Sequence, residues 1–312
     1  MTAFAFLFPG QGSQAVGMLD AWGDHAAVRA TLEEASAALG EDIARLIAHG
    51  PKDQLDLTTN TQPVMLTAGV ACWRAWKAEG GADPQAMAGH SLGEYAALVA
   101  SGALPLDQAL PLVRFRAQAM QEAVPVGAGA MAAILGMDAA AVQQGCEQAA
   151  ARSGEVVAAA NFNDPKQTVI AGSRAGVDQA CEILKAMGAK RALPLPVSAP
   201  FHCSLMKPAA DRLRERLATV AFDAPRIPVI NNIDVQAPTT PDALRDALYR
   251  QAYGPVRWVE VVQALRGRGI THFIECGPGK VLAGMVRRID GDAVAGALFD
   301  PASLQEIQGM WV

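Results

Sequence analysis

Ser91 stands at the centre of Gly89-His90-Ser91-Leu92-Gly93, a G-x-S-x-G sequence between a short apolar run and the helix-forming stretch 94–100. Glycines on both sides permit a sharp strand-to-helix bend that lifts a serine hydroxyl above a sheet, over the positive end of a helix. The pentapeptide is common, so its weight comes from that context. Such a serine needs a base. Among the five histidines, His25 and His49 lie in polar helical surroundings, His90 adjoins the serine and His272 falls within a strand, so each reads as structural. His202 follows a proline-set turn in Val197-Ser198-Ala199-Pro200-Phe201-His202-Cys203-Ser204. It can serve Ser91 only if the fold brings the two within hydrogen-bond reach. A third stretch, Phe8-Pro9-Gly10-Gln11-Gly12-Ser13-Gln14, is a glycine-rich loop after an apolar strand, suited to aiming free backbone amides at an anion. Gly10-x-Gly12-x-x-Ala15 also fits a loose dinucleotide fingerprint with Glu33 as the acidic partner, but Glu33 sits in a helical run rather than at a strand end.

These residues need a scaffold, and the chain can build one. It has 312 residues, of which 51% are hydrophobic, enough for one large domain or two smaller ones. A formal charge of −5 gives no bulk attraction to nucleic acid or an anionic membrane, so charged partners must be met by local patches. The five cysteines, Cys72, Cys146, Cys181, Cys203 and Cys276, are odd in number, scattered and without metal-like spacing. They predict reduced thiols in a cytoplasmic protein, with neither disulfide nor metal. The opening run 4–8 is too short for a signal or a membrane span and reads as a buried strand.

Short apolar strands alternate with alanine-rich helical segments, the pattern of an α/β protein with a largely parallel sheet. Strands are expected at 4–8, 85–90, 227–231 and 271–276, and a helix through 106–124. The block 127–197 differs: strands at 130–135, 156–161, 168–171 and 192–197 and helices near 138–152 and 175–188 give the order β-α-β-β-α-β of a ferredoxin-like unit. The expected organisation is a discontinuous large domain, 1–126 and 198–312, interrupted by a small domain, 127–197, with a ligand cleft between them.

Six segments in order carry a resemblance over essentially the whole chain: the loop 8–14, the elbow 89–95, Phe115-Arg116-Ala117-Gln118-Ala119-Met120-Gln121, Ala199-Pro200-Phe201-His202, Val229-Ile230-Asn231-Asn232 and Glu275-Cys276-Gly277-Pro278-Gly279. Together they resemble the malonyl-CoA:acyl carrier protein transacylases of type II fatty-acid synthesis. The resemblance implies an α/β-hydrolase-like large domain with a ferredoxin-like small one. It implies Ser91 as nucleophile, His202 as general base and acid, the amides of Gln11 and Leu92 as oxyanion donors, and the main-chain carbonyl of Gln251 as the group that orients the histidine. No acidic third member is then needed, since a thiol leaving group with a pKa near 8.5 departs more easily than an amine.

The resemblance also assigns Arg116 to the malonyl carboxylate. Helical periodicity does not choose it, because Arg114 and Arg116 both fall at the border of the stripe Leu106, Leu110, Val113, Ala117, Met120 and Val124. Met120 and Phe201 are expected to line the acyl pocket, Phe201 limiting space at the α-carbon and making methylmalonyl-CoA a poor substrate. Asn161 and Asn163, with Lys190 and Arg191, suit pantetheine and phosphate, and Lys190, Arg191, Lys280, Arg287 and Arg288 can form a basic patch for an acidic carrier protein. The implied substrates are malonyl-CoA and holo acyl carrier protein, with no separate cofactor, and a monomer is expected. Two rivals share the elbow: a serine thioesterase or hydrolase, for which no acid after the serine suggests itself, and a carrier-protein-binding module without catalysis. An acyltransferase serving polyketide synthesis has the same residues.

Overall fold

A computed structural model of the chain describes residues 3–310, the side chain of Met310 excepted. Among the described residues nine strands divide between two sheets: β1 (Phe4–Phe8), β2 (Ala86–Gly89), β3 (Gly129–Leu135), β4 (Val157–Asp164), β5 (Gln167–Ser173), β6 (Arg191–Pro194), β7 (Val229–Ile230), β8 (His272–Cys276) and β9 (Val294–Leu298). The first sheet is wholly parallel, in the order β7-β2-β1-β8-β9. Parallel strands need crossovers that cover both faces, and β1 shows the result directly. Its alternate side chains Phe4, Phe6 and Phe8 enter one core, while Ala5 and Leu7 enter the other. On the phenylalanine side Phe6 meets Trp73 and Trp76 edge-to-face, each at 5.5 Å, from the long helix Thr58–Ala78.

The second sheet is antiparallel, in the order β4-β5-β3-β6, with the helices Ala139–Ser153 and Arg174–Ala186 packed on one face. The chain order β-α-β-β-α-β is the one expected, and the mixed α/β class holds. The opposite face presents Met131, Ala133, Ala160, Val169 and Ala171 to Cys203 and Phe201 of the loop that carries His202. Three links tie the sheets together. Val256, before the helix Trp258–Gly267, accepts from Phe162 N at 2.9 Å and donates to Ala160 O at 2.8 Å. Arg288 pairs with the nearly buried Asp164 at 2.6 Å. His90 donates from Nε2 to Asn163 Oδ1 at 2.8 Å.

Several boundaries differ from the sequence reading. β6 stops at Pro194 instead of reaching 197; Leu195 still donates to Met131 O at 2.9 Å, but Pro196 has no N–H to carry the ladder on. β4 runs on to Asp164, with shifts of register on either side of Asn161 and Phe162. The helix of 106–124 ends at Glu122. β9 was not among the expected strands; its sequence, Val-Ala-Gly-Ala-Leu, has little β-branching and a central glycine. All five cysteines are free thiols. Among the described residues no helix is long and apolar enough to cross a membrane.

Candidate active site

The elbow forms where the parallel sheet hands over to a helix. β2 ends at Gly89, Ser91 takes a left-handed conformation with φ of 51°, and the helix Gly93–Ala100 begins two residues later. Packing dictates the small residues. A Cβ on Gly93 would sit 2.0 Å from the Phe8 carbonyl oxygen, and one on Gly10 would sit 2.6 Å from the His90 carbonyl oxygen. The loop after β1 therefore lies against the elbow, and only glycine permits the approach. Asn232 clamps the bend from both sides. Its Oδ1 accepts from Ser91 N at 2.7 Å and its Nδ2 donates to Gly89 O at 2.7 Å.

His202 also takes a left-handed conformation, with φ of 63°. Its Nε2 lies 2.7 Å from Ser91 Oγ and its Nδ1 lies 2.9 Å from the main-chain oxygen of Gln251. A carbonyl can only accept, so Nδ1 carries the proton and Nε2 is left to take the proton of the serine. Burial, and then the charge of Arg116, drive the His202 pKa down to about 3, which keeps the ring neutral and able to act as a base at pH 7.

Arg116 is buried, with 2% of its surface exposed. Its Nη1 donates to Gln62 Oε1 at 2.7 Å, its Nη2 donates to Gln251 Oε1 at 3.1 Å and to Ser91 Oγ at 3.2 Å, and its guanidinium lies 5.5 Å from the centre of the Tyr95 ring. Burial presses its pKa down. All three hydrogen-bond partners are neutral, so this desolvated cation is held in shape without a carboxylate bound to it. The backbone amides of Gln11 and Leu92 have no hydrogen-bond acceptor among the described residues. Both residues line the same cleft as Ser91, His202 and Arg116, and the Gln11 side chain is tethered to Thr58 Oγ1 at 3.2 Å.

The rest of the cleft comes from the antiparallel sheet, through Met131, Val169 and the pair Asn161 and Asn163, and from the helix Val281–Ile289, through Val281, Leu282 and Met285, with Phe201 beside His202. Asn161 Oδ1 is buried and unpartnered, whereas Asn163 is engaged by His90. The structure thus gathers Ser91, His202, Gln11, Leu92, Arg116, Phe201, Asn161 and Asn163 around one cavity, with Gln251 bonded to it from behind. Met120 is the exception. It is buried in the large core, 1% exposed, one turn along the helix from Arg116, and does not line the cleft. Gln62, Glu94 and Asn232 are site residues that sequence reading did not single out. The signal available was a polar residue within an apolar run, as at Gln62 before Pro63.

A serine on a strained elbow, a neutral histidine within reach of its hydroxyl, and two unengaged amides in the same cleft define a serine-nucleophile acyl-transfer enzyme on an α/β frame. The acyl transferase domain family matches residues 5–293. The malonyl CoA-acyl carrier protein transacylase of Escherichia coli K12 is 53% identical over 305 residues, which span 97% of this chain and 98% of that protein. The crystal structure of acyl-carrier-protein S-malonyltransferase from Burkholderia pseudomallei 1710b is 65% identical, covers 99% of this chain and 100% of its own, and superposes with a TM-score of 0.97. A type II PKS acyl-carrier protein in complex with its malonyl-transacylase, 48% identical, matches 97% of this chain and 98% of that one with a TM-score of 0.95. The chain belongs to the malonyl CoA-acyl carrier protein transacylase family.

Proposed function

We propose that this protein transfers the malonyl group of malonyl-CoA to the phosphopantetheine thiol of holo acyl carrier protein through a malonyl ester on Ser91, supplying extender units for fatty-acid synthesis. The observation that carries the reading is Arg116, a guanidinium buried beside the nucleophile with only neutral partners. A substrate carboxylate can bond this cation directly, where Glu94 acts on it only through space, and the planar fork can grip it through two parallel hydrogen bonds.

In the first half-reaction Ser91 Oγ attacks the thioester carbonyl as His202 Nε2 takes its proton. The amides of Gln11 and Leu92 hold the oxygen that becomes negative. As the intermediate collapses, the C–S bond breaks and His202 returns the proton to the departing thiolate. The carrier-protein thiol then reverses these steps on the Ser91 ester, giving ping-pong kinetics. A carboxylate on Arg116 also offsets the cation that holds the His202 pKa low, strengthening the base as substrate binds. One thioester replaces another, so the exchange is close to thermoneutral and water is its main competitor.

Residues 127–197 are read as a small inserted domain, the rest as the catalytic domain. Asn161, with its unpartnered oxygen, and Asn163 face the route of the pantetheine arm. Lys190, Arg191, Lys280, Arg287 and Arg288 remain the candidate docking cations, although Arg288 is already paired with Asp164. Malonyl-CoA is the only small molecule this chemistry requires, and the enzyme is read as a cytoplasmic monomer. One observation favours a second reading, a polyketide carrier as acceptor: a relative is solved with a type II PKS acyl-carrier protein.

Intact-mass analysis of the protein with malonyl-CoA, then with holo acyl carrier protein, tests the proposal against the Ser91→Ala variant. A malonyl adduct confined to the wild type and passed to the carrier supports it. Release of free malonate without transfer would establish a hydrolase instead.

A further inference from the structure

We propose that Glu94 is a positioning residue for the transfer: its buried carboxyl holds, through Asn232 and Gln251, the elbow, the histidine and the arginine in one register. The inference rests on the malonyl-transfer reading and concerns how that site is kept aligned.

Glu94 is the second residue of the elbow helix and is 2% exposed. Its Oε2 accepts from Asn232 N at 2.9 Å and from Gln251 Nε2 at 3.0 Å. Each partner leads straight to the chemistry. Asn232 bonds both Ser91 N and Gly89 O, so its position sets the left-handed bend. Gln251 receives the His202 Nδ1 proton on its main-chain oxygen, receives Arg116 Nη2 on Oε1 at 3.1 Å, and donates from Nε2 to Ser91 O at 3.0 Å. A single carboxyl oxygen therefore joins the two residues that fix every reacting side chain.

Glu94 also helps to set which way the Gln251 amide faces, together with Arg116 and Ser91 O. The two ends of an amide have nearly the same shape, and only their hydrogen-bond partners distinguish them. Arg116 is donor-only and demands Oε1. Glu94 is an acceptor and demands Nε2. Without an acceptor at 94, the Gln251 amide loses one of the three contacts that oppose a flip, leaving Arg116 and Ser91 O to hold it, and a flipped amide would present N–H groups to the Arg116 guanidinium. Arg116 would then lose a hydrogen bond that aims it at the carboxylate position, and His202 would lose the firm seat of its carbonyl partner. Burial raises the Glu94 pKa to about 7, so the carboxyl is close to half-protonated at neutral pH, and in either state an oxygen remains to accept.

The decisive readout is the ratio of kcat/KM for malonyl-CoA to that for acetyl-CoA. A loss of folded protein scales both substrates equally and leaves the ratio alone, whereas a misaimed Arg116 lowers only the malonyl term. Glu94→Leu, which keeps bulk but removes both acceptors, is expected to slow both substrates and to cut the malonyl preference by about tenfold. Glu94→Gln retains an accepting oxygen and should keep most of that preference. An unchanged ratio in soluble Glu94→Leu would overturn the proposal. Should that variant not fold, Glu94→Met removes the same acceptors with a longer, more pliant side chain and leaves the Arg116 and Ser91 contacts of Gln251 in place. A fall in the ratio there supports the proposal and an unchanged ratio overturns it. A wild type that itself shows no malonyl preference would sink the underlying reading instead, separately from the role of Glu94.

Discussion

Replacing Arg116 by lysine keeps the charge and removes the geometry, which makes it a sharp probe of carboxylate recognition. The guanidinium divides its donors among Gln62, Gln251 and Ser91, all within 3.2 Å, and lines the cleft. A lysine ammonium is a compact point charge with three donors, and it cannot satisfy Gln62 and Gln251 while also offering a parallel pair to the substrate. One charge-assisted hydrogen bond is worth about 1.5–3 kcal/mol, so kcat/KM for malonyl-CoA should fall roughly 10- to 150-fold. Acetyl-CoA has no carboxylate to lose, and its kcat/KM should change by no more than about threefold. The assay is transfer of each acyl group to holo acyl carrier protein, followed by mass. Arg116→Ala adds a pH signature: the cation that depresses His202 is gone, so the acidic limb of the rate profile should move to higher pH, while burial still holds the histidine below its usual value. Equal losses toward both acyl-CoAs, with no shift of that limb, would refute the assignment.

Gly10→Ala places a Cβ 2.6 Å from the His90 carbonyl oxygen and must push the loop, with the Gln11 amide, off the elbow. Malonyl-enzyme formation, measured by rapid quench and mass, should slow by about 10- to 100-fold, approaching the loss of one oxyanion donor, and rates within twofold of wild type would dissociate the loop from catalysis. Phe201→Ala opens space beside His202, so the methylmalonyl to malonyl ratio of kcat/KM should rise by about tenfold, the worth of one methyl group in an apolar pocket; an unchanged ratio would place the barrier elsewhere. Glu275 is fully buried with Oε1 unpartnered, and burial raises its pKa from 4.5 to about 7. The folded state holds that proton more tightly, so wild-type stability from this group is lost as pH rises from about 4.5 through 7, a loss that Glu275→Gln escapes. The variant's unfolding free energy from urea titration should therefore gain on the wild type between pH 5 and pH 8, by at most roughly 3 kcal/mol, and a difference independent of pH would count against the shift.

The elbow was legible because its chemistry is local: Gly89 and Gly93 are required by backbone approaches within a few residues of Ser91 or across one strand pair. The antiparallel unit was legible for a similar reason, since its element order and turn signals are contiguous. Arg116 was not separable from Arg114 by periodicity. Only the fold sends Arg114 outward to Glu41 and Asn60 while Arg116 turns in toward Gln62. Gln62, Glu94 and Asn232 come from three separate segments of the chain, and their roles are set by hydrogen bonds to Arg116, to Gln251 and to one another that span up to 157 positions. No local pattern encodes such partners. Met120 lies one turn from Arg116 on the same helix face, and packing buries it in the large core.

Only three non-glycine residues among those described have positive φ, and Ser91 and His202 are two of them. Each such conformation costs an L-residue about 1–2 kcal/mol that glycine would not incur. The reactive pair therefore sits where thermal fitness and turnover pull in opposite directions. Selection of variants by heat resistance alone would enrich glycine at both positions and return a sturdier, inert protein. A stabilisation campaign on this fold must leave the elbow and the histidine turn out of the library, and recover stability from surfaces that the cleft does not touch.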